Sequence, residues 1–486
     1  MSLTERFQRA GRGGAGRPGE VTTAQAPDRG AAGGGGPGES FGSGARILSI
    51  GIASTGLFTF AYLATSSHVL RPAAYSRISL CWAIMFVILS VIYRPIEQLL
   101  SRTIADRRAR GLESHSLRVP ATIQMGFALL FLVVALVLRG SIQQGMFDGS
   151  SALYWILLIG VLAYAGSYFA RGWLAGHKRF DLYGGLVFLE ATSRFIPALV
   201  VAFGLASGQG AVGLGMVIAP FASLAVMPFA FSRLRPGAPA GIPVADAARE
   251  GPAHASLEEA AADLSLAHGA DFAISVVGVM LSEQTLMNAG VLIVAARTSG
   301  ANLTTGLVGF VFNVMLIVRA PLQLFQAIQT SILPHLTGLD ARENADEFGR
   351  AIRITVLAIT GFGLAVALGL LAIGPPVMNI VLGDKGNGLQ YSRLGLAVVG
   401  LGMALHLVSG TLNQAALARG QARAAAVAWL ISAALFVAFM LTGSANGNAA
   451  VTRVELGYFG ATAVLCALLT AVYRLGPRLA SRVATA

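Results

Sequence analysis

The chain has 486 residues, 55% of them apolar and 12% charged, and a mean hydropathy of +0.68. A water-soluble domain does not need so much apolar surface, so the natural solvent for most of it is lipid. The net charge of +12 rests almost wholly on arginine, with Lys178 and Lys385 the only lysines; these cations recur in short clumps between apolar stretches, a topology signal, and do not form the single basic face that nucleic acid requires.

Residues 1–44 are rich in Gly, Ala and Pro and lack a long apolar run, which predicts a disordered cytoplasmic tail. From Arg46 onward, apolar segments follow one another at the length of about 20 residues that a helix needs to cross hydrocarbon. Twelve spans are predicted, over 46–66, 78–100, 119–138, 152–173, 183–206, 211–231, 269–296, 304–330, 351–374, 393–415, 423–442 and 454–474. Unbroken runs such as FALLFLVVALVL exclude the alternation of a lipid-exposed barrel, so the backbone must be satisfied within helices. The expected fold class is an all-α integral membrane protein with about 12 transmembrane helices in two pseudo-symmetric six-helix bundles.

With the amino terminus inside, the inner segments hold 25 Lys and Arg and the outer loops seven. The positive-inside rule then places both termini in the cytoplasm, in a multi-pass protein of the cell membrane. The longest internal loop, 232–268, reads as a cytoplasmic linker carrying an amphipathic helix opened by Ser256-x-x-Glu259. It separates an N-terminal lobe, 45–231, from a C-terminal lobe, 269–475, with a short tail at 476–486. A shift of 226 residues lays Arg71 on Arg297, Phe86 on Phe312 and Pro95 on Pro321, the kind of internal repeat that two-bundle transporters carry.

Cys81 and Cys466 lie far apart and the seven histidines are scattered without ligand spacing, so neither a metal site nor a cofactor is expected. No phosphate-cradling glycine loop or nucleophile elbow stands at a plausible position, which argues against an enzyme.

Several stretches carry a resemblance. The first helix is rich in small residues, from Gly44-Ala45-Arg46 through Gly51 to Gly56, and is followed by a short outer turn, His68 to Tyr75. The second helix ends in YRPIEQLLSR, and ARGWLAGHKRFDLYG, residues 170–184, joins the fourth and fifth helices. Over about residues 44–475 the chain resembles the Wzx-type lipid-linked oligosaccharide flippases, whose superfamily also contains multidrug exporters and the peptidoglycan-precursor flippase. The resemblance implies a V-shaped pair of bundles that opens alternately to either side of the membrane. It also implies a polyprenyl-(pyro)phosphate-linked glycan as substrate, with membrane lipids and glycan assembly enzymes as partners.

A sugar-phosphate cannot cross lipid unaided, so such a protein must offer a wet cavity containing cations. Arg94 and Arg319, near the matched prolines, are the first candidates to meet substrate phosphates; the alternative is that both snorkel to the interface. Glu190 and Arg194, one turn apart in the fifth helix, form either an internal ion pair or a cavity-facing arginine held by its carboxylate. Glu283, mid-span in the seventh helix, is a candidate for cation coupling or for binding sugar hydroxyls; packing in its neutral form is the alternative. Asn313, with Gln323, Gln326, Gln329, Asn413 and Gln414, could line the cavity or join helices to one another.

Two rival functions remain. A cation-coupled multidrug or metabolite exporter of the same superfamily would carry an acidic residue in its first helix, and residues 46–66 contain none. A membrane glycosyltransferase or glycan polymerase would need a sizeable outer loop with catalytic acids, whereas Asp148 and Asp384 stand alone in short ones.

Overall fold

A computed structural model describes residues 37–109, 117–232, 253–297, 305–340, 345–383, 388–443 and 446–484. Its helices are α1 (Pro37–Val69), α2 (Pro72–Ile88), α3 (Arg94–Ala109), α4 (Arg118–Val137), α5 (Ser151–Gly176), α6 (Phe180–Ala202), α7 (Gly208–Leu224), α8 (Met227–Ser232), α9 (Ala253–Ala296), α10 (Leu307–Asp340), α11 (Ala345–Leu382), α12 (Arg393–Ala418), α13 (Ala422–Leu441) and α14 (Gly447–Ala484). No strand occurs among the described residues. Ten helical segments there are long and apolar enough to cross a membrane. With α1 and α10, of 33 and 34 residues, they make twelve alternating crossings.

The polarity of the bundle is that of a lipid-solvated protein. Large apolar side chains such as Leu129, Leu130 and Val137 on α4 and Phe362, Leu364 and Leu368 on α11 point outward and are exposed. Polar groups such as Arg194, Asn313 and His406 are buried, the reverse of the usual soluble arrangement. Small residues let helices meet backbone to backbone. A Cβ added at Gly51 on α1 would lie 2.7 Å from the Gly184 carbonyl oxygen on α6.

Helices α1–α8 form one lobe and α9–α14 the other. They touch mainly where α2 packs against α9 and α10. α2 and α3 form one crossing, joined by a π-helical turn over Leu89–Tyr93 just before Pro95. The extra residue of a π turn widens the helix and frees the backbone for the proline that follows. The matched Pro321 lies within α10, so the repeat seen in the sequence places its two prolines in crossings of opposite lobes.

Two expectations from sequence are corrected. Helix α1 begins at Pro37, inside the segment expected to be a disordered tail; proline suits the first helical position, where its missing N–H has no partner to lose. The helix expected within the linker is not a separate element. It starts at Ala253 and runs unbroken into the seventh crossing as α9, so Ser256 lies inside the helix and is not its cap; no proline stands between the two, and Gly269 alone does not interrupt the helix. The remaining linker residues, 233–252, and the tail residues 1–36 lie outside the described residues.

The lobes are joined at the membrane end where α1 finishes, called the far end here; the near end is where α1 begins. At the far end the Tyr75 hydroxyl on α2 donates to Asn313 Oδ1 on α10 at 2.5 Å. The Asn313 amide in turn donates to the Tyr391 hydroxyl at 3.2 Å, and the Tyr391 ring stacks on Phe310 with centroids 4.3 Å apart. Ser76 Oγ accepts from the Gly309 amide at 3.0 Å, and Ser67 Oγ donates to the Leu382 carbonyl at 2.8 Å. Gly309 leaves no room for a side chain, since an added Cβ would fall 2.7 Å from the Tyr75 ring. Gly309→Val is therefore expected to hold the far end apart at an overpacking cost of about 1–3 kcal/mol. In a background with Cys81 and Cys466 replaced by Ala, labelling of Ser76→Cys by a membrane-impermeant maleimide should rise by roughly tenfold when Gly309→Val is added. Unchanged labelling would mean that the lobes stay joined.

Candidate functional site

Among the described residues, from the middle of the bundle toward the near end the lobes part around a cavity of about 370 Å³, a volume within the roughly 300–1,000 Å³ of small-molecule sites. Its wall is built from α1, α2, the π turn, α3, α5, α6, α9 and α10. Among the described residues that wall carries four arginines, Arg94, Arg171, Arg194 and Arg319, and three glutamates, Glu97, Glu190 and Glu283. A charge at this depth costs a few kcal/mol even by the lenient insertion scales, so each must be answered by a partner or by water.

The N-terminal lobe supplies the densest cluster. Glu190 on α6 is 5% exposed and Arg194, one turn later, 1% exposed; Arg194 Nη2 donates to Glu190 Oε1 at 2.7 Å. Arg171 on α5 donates to the other carboxylate oxygen, to which Ser167 Oγ also donates at 3.2 Å. One carboxylate is thus shared by two guanidinium groups. Arg194 further donates to the Tyr164 hydroxyl at 2.5 Å and to Thr59 Oγ1 at 3.3 Å, and its guanidinium lies 5.0 Å from the Trp82 ring centroid. Arg171 lies 4.6 Å over the Tyr168 ring. Nearby, the Tyr183 hydroxyl donates to Glu97 Oε1 at 2.6 Å.

The opposite wall belongs to the C-terminal lobe. Arg319 on α10 donates to the Met287 carbonyl at 3.2 Å and to Asn288 Oδ1 at 2.6 Å, and lies 4.7 Å over Phe312. Glu283 on α9 faces Arg94 on α3 from across the gap, each within range of the other's charge. Both side chains are half-buried.

Five residues singled out by sequence, Arg94, Arg194, Arg319, Glu283 and Glu190, therefore stand on one cavity. The ion pair between Glu190 and Arg194 is formed and also lies on the cavity wall. Asn313 is not on that wall: it is spent on the far-end contact between the lobes, because its position early in α10 places it beyond the cavity. Asn413 accepts from the Trp429 indole inside the C-terminal lobe. The side chains of Gln323, Gln326 and Gln329 lie outside the described residues.

Sequence reasoning missed Arg171, which was counted as a loop cation. The signal was a stripe on α5, Tyr164, Tyr168 and Arg171, at the i, i+4, i+7 spacing that puts polar tips on one helix face. Among the described residues no cluster of His, Cys, Asp and Glu could hold a metal ion.

Removing a shared carboxylate should be costlier than removing either of its partners. Glu190→Ala leaves two buried guanidinium groups unanswered and is expected to destabilise by about 3–5 kcal/mol, whereas Arg194→Met leaves Glu190 still paired with Arg171. Thermal unfolding in detergent should rank Glu190→Ala well below Arg194→Met. The reverse order would mean that the cluster is not organised around the carboxylate.

No family model matches the chain, and no curated protein matches it by sequence. Solved structures share its fold. An inward-facing multidrug resistance MATE family transporter of the MOP superfamily aligns with 90% of this chain and 99% of its own, at a TM-score of 0.65 and 12% identity. An outward-facing transporter of that description aligns with 93% of this chain and 98% of its own, at 0.61 and 15%. A Vibrio cholerae MATE transporter aligns with 90% and 98%, at 0.59 and 15%. At such identities the likeness shows the fold: a multi-pass, two-lobed membrane protein with the architecture of that superfamily. The first two are described as multidrug resistance transporters.

Proposed function

We propose that this chain is an exporter that works by alternating access and carries an anionic amphiphile, of the class of polyprenyl-phosphate-linked saccharides, out of the cytoplasmic leaflet of the cell membrane. The observation that carries the reading is the asymmetry of the lobe interface, joined at the far end and parted at the near end around an arginine-bearing cavity. With the near end in the cytoplasm, as the distribution of loop cations indicates, this is an inward-open state. The cation excess on the wall and the stacked aromatic rings beneath Arg194 suit a phosphate and its sugars better than a cationic drug. A hydrocarbon tail needs no such shelter and can remain in lipid.

A second reading, a cation-coupled multidrug exporter, is favoured by the description of the solved transporters that share the fold. Glu283, a carboxylate on the cavity wall, would be its coupling group. The resemblance to the flippases is supported only as far as the superfamily, so cargo decides between the two.

Depletion of the protein in its native cell, followed by extraction of lipid-linked sugars, separates them. Accumulation of one such lipid on the cytoplasmic face, reversed by the wild-type chain but not by Arg194→Gln, is the expected outcome. An unchanged lipid pool together with raised retention of cationic drugs would favour the second reading.

A further inference from the structure

We propose that the cavity is matched in charge to a cargo headgroup with one net negative charge, a phosphodiester and not a diphosphate, and that Arg319 is the residue that receives it. The inference rests on the anionic-cargo reading above and sharpens it.

Three of the four arginines are already answered. Arg171 and Arg194 share Glu190. Arg94 faces Glu283 from the other lobe and Glu97 on its own helix. Arg319 differs, since the groups that hold it, the Met287 carbonyl and Asn288 Oδ1, are both neutral; its Nε, like those of Arg171 and Arg194, is buried with no hydrogen-bond partner among the described residues. The face of Phe312 beneath it supplies only a quadrupole. Among the described residues, four arginines against three glutamates leave a formal surplus of one positive charge, and the pairings place that surplus on Arg319.

In the open state, water and counterions screen the surplus. Closing the near end expels them and lowers the local dielectric, so an occluded cavity is stable only when its contents bring the total charge near zero. A phosphodiester does so with one charge, and its two free oxygens can accept from a guanidinium edge in the bidentate manner. A diphosphate would bring at least one charge too many. A cationic cargo would add to the surplus.

The test uses the purified full-length chain and short water-soluble probes: hexyl methyl phosphate, hexyl diphosphate and hexyltrimethylammonium. Binding is followed by the fluorescence of Trp82 on the cavity wall, with Trp82→Phe as the control. The phosphodiester is expected to bind roughly tenfold or more tighter than the diphosphate, and the ammonium not at all. Arg319→Gln should lower phosphodiester affinity by roughly tenfold or more, while Arg319→Lys, which keeps the charge but loses the bidentate fork, should lose clearly less than Arg319→Gln and so separate loss of charge from misfolding. Glu283→Gln raises the surplus to two and should turn the preference toward the diphosphate. Tighter binding of the diphosphate by the wild-type chain would overturn the single-charge match while leaving an anionic cargo in place. Preference for the ammonium, or no binding of any probe, would overturn both. Undiminished phosphodiester binding by Arg319→Gln would remove Arg319 from the role.

Discussion

A guanidinium group cannot be discharged at physiological pH, so every arginine placed at membrane depth must be met by a carboxylate, a ring of neutral acceptors or water. Much of the interior of this protein follows from that constraint. The shared carboxylate of Glu190 ties α5 to α6 through Arg171 and Arg194, while Thr59 and Tyr164 bring α1 and α5 to the same guanidinium. The serines and tyrosines of these helices are therefore placed where charge requires them, and the cavity wall of the N-terminal lobe is held in shape by the groups that neutralise it.

The two ends of the lobe interface are built from different chemistry. The far end is closed by neutral hydrogen bonds and ring stacking among Tyr75, Asn313, Tyr391 and Phe310, contacts that can be made and broken without burying an unpaired charge. The near end sets ionisable groups on opposite lobes, Arg94 and Glu283, on the wall of one cavity, with a gap that water can fill. One crossing belongs to both regions. Its far half, α2, carries Tyr75 and Ser76, and its near half, α3, carries Arg94 and Glu97, with the π turn of Leu89–Tyr93 between them. A widened turn followed by proline is where a helix bends at least cost, so this crossing can bend between its two halves as the lobes exchange which end is joined.

Much of this was legible in the sequence, for a definite physical reason. Hydropathy fixes spans because lipid tolerates no unsatisfied backbone, and all but three of the 35 lysines and arginines fall in the predicted loops or within two residues of a predicted span's end. The three exceptions, Arg94, Arg194 and Arg319, are conspicuous because an arginine within an apolar run needs a reason to be there. All three lie on the cavity. Arg171 was hidden by its nearness to the end of α5, where a cation reads as an interfacial anchor; only the tyrosines on the same face distinguish it. Asn313 could not be placed from sequence, since a polar residue in a helix looks the same whether it lines a cavity or joins two lobes, and its depth along α10 decides between them. The partnering of Glu190 by two arginines was equally invisible, because Arg171 and Glu190 stand on different helices.

Alternating access in this protein requires two lobes that exchange which end is joined, with an anion in the cavity favouring the exchange. Electron paramagnetic resonance distances between spin labels test it most directly. One pair spans the near end, on the α5–α6 and α12–α13 turns at Lys178 and Gln421, and the other spans the far end, on the α6–α7 and α13–α14 turns at Leu205 and Thr442. Adding hexyl methyl phosphate should shorten the near-end distance and lengthen the far-end distance together in a fraction of the molecules. Two distances that stay fixed, or that shift in the same direction, would contradict it.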